Sequence, residues 1–176
     1  MSERTDSPKA GISLKTEISS VELHELTVRD SVAFFNLVQR NRRWLIRYGD
    51  YQDLVKSTVH DIQAEFSDQS KGALRMGIWR SEELMGRVDS FPVAPAAFGL
   101  GYWIGEEYSG KEYVTAACRA IMDFVSQTQK VNEYWAGVRN VNLESVAVVE
   151  RLGFSVYEQL PEYRRYRLLY SEKPLL

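Results

Sequence analysis

Three strand-like runs, over residues 73–79, 84–91 and 98–104, follow one another with no helix between them, and this bunching constrains the fold more than any other feature of the chain. A short polar turn at 81–83 joins the first two, and Pro92 and Pro95 are expected to end the second, because a residue without an N–H weakens a ladder. Strands joined so tightly pair antiparallel. Downstream the pattern changes to helical periodicity over 114–127, a strand over 134–138, a short helix over 143–152, and a final pair of strands over 154–159 and 163–169. Upstream, Val21 and Leu23 alternate with Glu22 and His24 as a half-buried strand. Thr27 and Asp30 form a helix-start pattern ahead of Val28, Val32, Phe35 and Val38, while Leu54, Val55, Val59, Ile62 and Phe66 mark a second helical stretch. Strands that are both bunched and separated by helices predict an α/β protein of the mixed α+β kind, one sheet with helices packed on it.

The chain has 176 residues, the size of one domain, and 44% hydrophobic residues, enough for a substantial core. Residues 12–176 are read as that domain, and residues 1–11, polar and aperiodic with Pro8 and Gly11, as a mobile leader. A net charge of −2 with interspersed signs gives no general attraction to nucleic acid or to an acidic membrane. No apolar run approaches the ~20 residues of a spanning helix and no signal-peptide pattern opens the chain, so a cytoplasmic location is expected. The only cysteine, Cys118, falls inside a helical pattern and reads as a small buried residue. His24 and His60 lack ligand-like spacing, so no metal site is expected, and Trp79, Trp103 and Trp135 read as packing residues on strands.

The segment from Asn142 to Phe154 carries the strongest local signal. Asn142 is a good helix N-cap, Val146, Val149 and Leu152 recur at helical spacing, and Gly153 supplies a left-handed stop before a new strand. Ser145 falls in the first turn, beside N–H groups that lack helical partners and favour anions.

In wider context, Gly101-Tyr102-Trp103-Ile104, Gly110-Lys111, Thr115-Ala116-Ala117-Cys118-Arg119-Ala120 and this segment resemble, in order and spacing, the GCN5-related N-acetyltransferases (GNAT), and among them the ribosomal-protein N-terminal acetyltransferase subgroup. The resemblance extends upstream through Leu26-Thr27, Asp30, Asn41-Arg42, Gly77-Ile78-Trp79 and Leu84. It implies a GNAT fold: a central mixed, mostly antiparallel sheet whose two parallel central strands splay apart, flanked by helices. It also implies acyl transfer from acetyl-CoA or another acyl-CoA to a primary amine of a small molecule or peptide N-terminus. Tyr102, Trp103 and Ile104 would then pair with the pantetheine arm, Gly110, Lys111, Glu112 and Thr115 would meet the diphosphate, and Asn142 would contact the arm. Ser145 would protonate the departing thiolate.

The chain departs from the family pattern at three places. The diphosphate loop of the family is Gln or Arg, two residues, Gly, one residue, Gly or Ala; here those positions hold Ser109, Glu112 and Val114. An acidic residue that precedes the Gly-Tyr-Trp strand in the subgroup is Gly99 here, and the last hairpin around Leu160-Pro161-Glu162 is shorter, leaving Glu158 and Glu162 as candidates for the general base. On the acceptor side, Arg40-Asn41-Arg42-Arg43-Trp44, with Arg47 and Tyr48, mixes cations with rings, and Arg43, Trp44 and Tyr48 are expected to meet the substrate. A homodimer is compatible with the pattern, and no nucleic-acid or membrane partner is expected unless the donor is an aminoacyl ester. Two other readings stay open: a transferase of the same fold with a donor other than CoA, such as a carrier-protein thioester or aminoacyl ester, and a non-catalytic binding protein.

Overall fold

The computed structural model describes residues 11–170; the leader expected over 1–11 lies outside them except for Gly11. Eight strands form one sheet: β1 (Ser13–Lys15), β2 (Glu22–Glu25), β3 (Leu74–Arg80), β4 (Glu83–Ala94), β5 (Ala97–Ile104), β6 (Glu133–Arg139), β7 (Ser155–Gln159) and β8 (Tyr163–Leu169). They lie in the order β1-β2-β3-β4-β5-β6-β8-β7. Every neighbouring pair is antiparallel except β5 and β6, which run parallel as a strand–helix–strand crossover requires. Five helices accompany the sheet: α1 (Ser31–Arg40), α2 (Arg42–Ile46), α3 (Val59–Ser67), α4 (Tyr113–Thr128) and α5 (Leu143–Arg151). None is long and apolar enough to cross a membrane.

Helices cover both faces, because side chains alternate along each strand. Phe34 of α1 packs edge-on against Trp103 of β5, with ring centroids 5.6 Å apart. On the opposite face the hydroxyl of Tyr134 on β6 donates to the Met122 carbonyl of α4 at 2.9 Å. Between these layers Phe34, Leu37, Val38, Met76, Ile78, Met85 and Ile121 are fully buried, and Cys118 with them.

Several boundaries differ from the sequence reading. The helix expected from Val28 begins as a 3-10 turn, Val28–Asp30, and becomes α-helical only at Ser31. The stretch over 54–66 is broken into a 3-10 turn, Leu54–Lys56, and α3, because Thr58 adopts an extended backbone and caps the Asp61 N–H. Pro92 does not end β4, which continues to Ala94. The ladder to β3 stops at Leu74 and Ser90, so Pro92 sits where β4 has a neighbour on one side only, the β5 side.

The β5–β6 junction positions everything that follows. Its ladder holds three residue pairs, Ala97 with Glu133, Phe98 with Tyr134 and Gly99 with Trp135, and then stops. Beyond that point β5 stays paired to β4 as far as Ile104 with Gly86, and β6 stays paired to β8 as far as Arg139 with Tyr163. Each strand follows its outer neighbour, so a gap opens between them. Gly86 holds β5 close on the far side: a Cβ there would lie 2.3 Å from the Trp103 carbonyl oxygen and 2.8 Å from the Ile104 Cα, both backbone atoms that cannot rotate away. Gly86→Ala is expected to lower stability by about 2 kcal/mol or more, measurable as a lower urea midpoint at unchanged slope.

Candidate active site

The gap exposes one edge of β5, and the register decides which groups face it. The Gly105 N–H donates to the Met85 carbonyl at 2.8 Å, so odd-numbered residues of this strand turn their backbone groups toward β4. Tyr102 and Ile104 therefore turn theirs toward the gap. Both carbonyls are taken: the Tyr51 hydroxyl donates to the Tyr102 oxygen at 2.7 Å, and the Trp44 indole N–H donates to the Ile104 oxygen at 2.9 Å. The N–H groups of the same two residues face the gap with no strand opposite them. An edge that would normally offer donors and acceptors alternately offers donors.

Across the gap stands the start of α5. The Asn142 side chain accepts from the Ser145 N–H at 3.1 Å, capping the helix, while Val146 and Val149 anchor it in the core. This sets the Ser145 hydroxyl against β5: it donates to the Tyr102 hydroxyl at 2.9 Å, which in turn donates to the Ser145 carbonyl at 3.0 Å. Burial pushes the Tyr102 phenol well above its ordinary range, and the Tyr51 phenol also, so both remain protonated donors at neutral pH.

At the other end of the gap lies the N-terminus of α4, and it is built differently from those of α3 and α5. No side chain caps it. Glu112, its N-cap residue, has a left-handed backbone with φ of 61°, and Gly110 is left-handed as well. The first-turn N–H groups are thus without a side-chain acceptor, and the Thr115 hydroxyl, buried in the same turn, has no partner among the described residues. These features line one cleft of about 500 Å³ with Trp44, Tyr48, Tyr102, Asn142 and Ser145.

A family model of the acetyltransferase (GNAT) domain matches residues 20–155. The chain belongs to the GNAT acetyltransferase family. The ribosomal-protein-serine acetyltransferase of Escherichia coli (strain K12) is 24% identical over 141 residues, covering 77% of this chain and 79% of that protein. The ribosomal-protein-S5-alanine acetyltransferase of Vibrio fischeri superposes with a TM-score of 0.77 at 17% identity, covering 92% of this chain and 98% of that one. RimL, a ribosomal L7/L12 α-N-protein acetyltransferase solved in complex with coenzyme A, superposes with a TM-score of 0.76 at 18% identity, covering 89% and 97%. The two superpositions are likenesses of fold.

Within this acetyltransferase the donor-side residues singled out in the sequence converge on the cleft with Trp44 and Tyr48, whereas Arg43, Glu158 and Glu162 do not. Arg43 is exposed and does not line it. On the short α2, Trp44 and Arg47 are three residues apart and share the face that looks into the cleft, whereas Arg43 is about 100° away around the helix. Arg47 takes the place expected of Arg43: its guanidinium lies 3.1 Å from the centroid of the Trp44 ring and 4.5 Å from that of Tyr48, and it pairs with Glu144 across the cleft. Glu158 and Glu162 do not line the cleft either; they pair with Arg165 at 3.0 Å and Arg139 at 2.7 Å, on the surface of the last hairpin.

The sequence reading missed Tyr51 and the part played by Asn41. Asn41 is buried; its side chain accepts from the Glu106 N–H at 2.9 Å and donates to the Leu37 carbonyl at 3.0 Å, tying the end of α1 to the chain beyond β5. Tyr51 has a left-handed backbone, uncommon for an aromatic residue, and no local pattern announces it. Trp44→Phe keeps a ring beneath Arg47 and removes the donor to Ile104. It is expected to cost about 1 kcal/mol of stability in denaturant unfolding, the typical contribution of one hydrogen bond.

Proposed function

We propose that the protein transfers an acetyl group from acetyl-CoA to a primary amine, on a peptide N-terminus or a small molecule. The observation that carries this reading is the donor-only edge of β5 facing the Ser145 hydroxyl across the gap. Acyl transfer requires donors aimed at a developing oxyanion, a proton for the leaving group, and an acyl donor held beside the nucleophile. The N–H groups of Tyr102 and Ile104 supply the first. Ser145 holds a proton at Oγ for the second, and its contact with Tyr102 keeps that hydroxyl at the gap.

The residues present fit coenzyme A at most points. The uncapped first turn of α4, the unpartnered Thr115 hydroxyl and Lys111 would hold the diphosphate, and Asn142 would border the pantetheine arm. Acetyl-CoA, when bound, supplies the activated thioester. The coenzyme A complex of RimL supports this donor, and the E. coli relative, which acts on a ribosomal-protein serine, supports a peptide N-terminus as acceptor.

Glu112 is the discordant group, an exposed carboxylate at the left-handed turn where a phosphate would approach. It favours a second reading, a donor that carries its acyl group without a nucleotide diphosphate. Calorimetric titration separates the two: micromolar binding of coenzyme A supports the first, and no heat at millimolar ligand, with transfer from a short pantetheine thioester, supports the second.

Ser145→Ala is expected to lower kcat roughly ten- to a thousandfold while leaving donor affinity within about twofold, because a proton given to the leaving group matters in the transition state. Single-turnover rates check this, and unchanged turnover removes Ser145 from the mechanism. Glu112→Gly is expected to tighten coenzyme A binding about fivefold, since a solvent-screened like-charge contact is worth ~1 kcal/mol. The gain should be larger at low salt and small for the short thioester.

A further inference from the structure

A second recess, of about 350 Å³, opens beneath α3 and shares Tyr51, Tyr102 and Trp103 with the main cleft. Its charged lining is three carboxylates, Asp53, Glu65 and Asp89, against one guanidinium, Arg87. With Arg75 pairing Glu65 from behind, one carboxylate remains in excess, a balance that favours a cation. We propose that this recess receives the acceptor as an ammonium ion and that Asp89 takes its proton. The inference rests on the reading of the protein as an amine acetyltransferase and adds the route of the acceptor and the identity of the base.

Register carries the argument. Asp89 lies on β4 directly opposite Gly101 of β5, and paired residues present their side chains on the same face. Gly101 presents none, and a Cβ built there would find nothing nearer than Phe91 at 3.8 Å. The way from the Asp89 carboxyl across β5 is therefore open, over one strand spacing of about 4.8 Å. The β5–β6 ladder ends at Gly99, so the gap begins beside Gly101. At position 99 a Cβ would meet the Phe91 ring at 2.2 Å, so a side chain there would require that ring to move. Asp89 of β4 is the carboxylate that the register sets on this face beside Gly101.

Other carboxylates near the gap are paired as well or exposed, and Asp89 is the one that the register sets opposite Gly101. Asp50 pairs with Arg139 at 3.2 Å, Glu144 pairs with Arg47, and Glu65 pairs with Arg75 and Arg87. Asp53 is exposed at the rim. Asp89 is itself held by Arg87, whose Nε lies 2.8 Å from each of its oxygens, with Glu65 and Arg75 behind and the Tyr51 phenol on the same recess. Burial pushes the Asp89 carboxyl up and Glu65 adds to this, against the pull of Arg87 and Arg75, which suits a group that must both ionise and accept a proton.

In the proposed sequence the ammonium gives one proton to Asp89, which passes it to solvent through the recess. The freed lone pair forms the C–N bond as the C–S bond breaks. Sulfur takes the proton held by Ser145, and the second proton shed by nitrogen restores that hydroxyl. One amine, one thioester and no oxidant or reductant are consumed.

The test uses Asp89→Asn in the full chain, with acetyl-CoA and two acceptors, an alkylamine protonated at the assay pH and trifluoroethylamine, which is neutral there. Expected is a loss in kcat/KM of roughly a hundred- to ten-thousandfold for the alkylamine and under about tenfold for the neutral amine. Glu158→Gln, which removes another candidate base and lines neither the cleft nor the recess, should retain alkylamine transfer within about twofold. Equal losses with both amines, no loss in Asp89→Asn, or an equal loss in Glu158→Gln would overturn the assignment. If Asp89→Asn does not fold, a series of amines of rising basicity on the wild type decides: kcat/KM on total amine stays level if the ammonium is taken, whereas a tenfold fall per unit of basicity means that only neutral amine is taken and the recess plays no part. If the wild type acetylates neither amine, the same comparison uses two peptides whose N-termini are protonated and neutral at the assay pH; transfer to none of the four acceptors defeats the acetyltransferase reading and this inference together, an outcome distinct from those above.

Discussion

Two parallel strands that part after three residue pairs are the constraint on which the rest of this structure depends. Backbone N–H and C=O groups in a sheet interior must find partners, and leaving one buried and unpaired costs as much as a lost hydrogen bond or more. Here the parted edge of β5 is resolved asymmetrically. Trp44 and Tyr51 reach in from a segment fifty to sixty residues upstream and satisfy the two carbonyls, and the N–H groups are left for a ligand. A strand edge has been turned into a row of donors, the arrangement that stabilises negative charge on an acyl oxygen.

The same two contacts explain how the segment between α1 and α3 is held. Its ion pairs, Arg47 with Glu144 and Arg139 with Asp50, are partly exposed, 60% at Glu144 and 37% at Asp50, and such pairs contribute ~0–1 kcal/mol each. The hydrogen bonds of Trp44, Tyr51 and Asn41 to the backbone of Ile104, Tyr102 and Glu106 are more shielded than these pairs, so they carry more of the attachment. One side of the segment is therefore fixed to the rigid strand that offers the donors, and the side facing α5 is closed by pairs that salt weakens.

What was legible in the sequence follows from how local each cause is. The cap at Asn142, the first-turn place of Ser145 and the stop at Gly153 are encoded within one short segment, and the structure has all three. The bunched strands and the crossover helix were legible for the same reason, since alternation and helical spacing are properties of adjacent residues. The three-residue β1 carries too little pattern to stand out, and α2 is a single turn and a half in a run of arginines. Pro92 misled because its tolerance depends on where β3 ends, a fact of sheet geometry. Tyr51, Asp89 and the part played by Asn41 were out of reach. Their surroundings are set by the register of strands and loops many residues away, and nothing beside them in the chain records it.

The turn before α4 shows a conformation outlasting the residue that suits it. A glutamate in the left-handed region costs roughly 1–2 kcal/mol relative to the right-handed one, a strain that glycine at the same position escapes. Glu112 nevertheless adopts it, next to a left-handed Gly110. Something outside the turn must impose that path. Tyr108, buried just before it, donates to Glu83 at 2.5 Å, and burial with that carboxylate beside it pushes the phenol up to about 12. Gly105 on the same approach is pinned to Met85, and Thr115 is buried on the far side. Both ends of this turn are held in the core, and between them the chain follows a left-handed path at Gly110 and Glu112. The N–H groups of the α4 first turn are left without a side-chain cap by this path, and Glu112 adds a negative charge beside them.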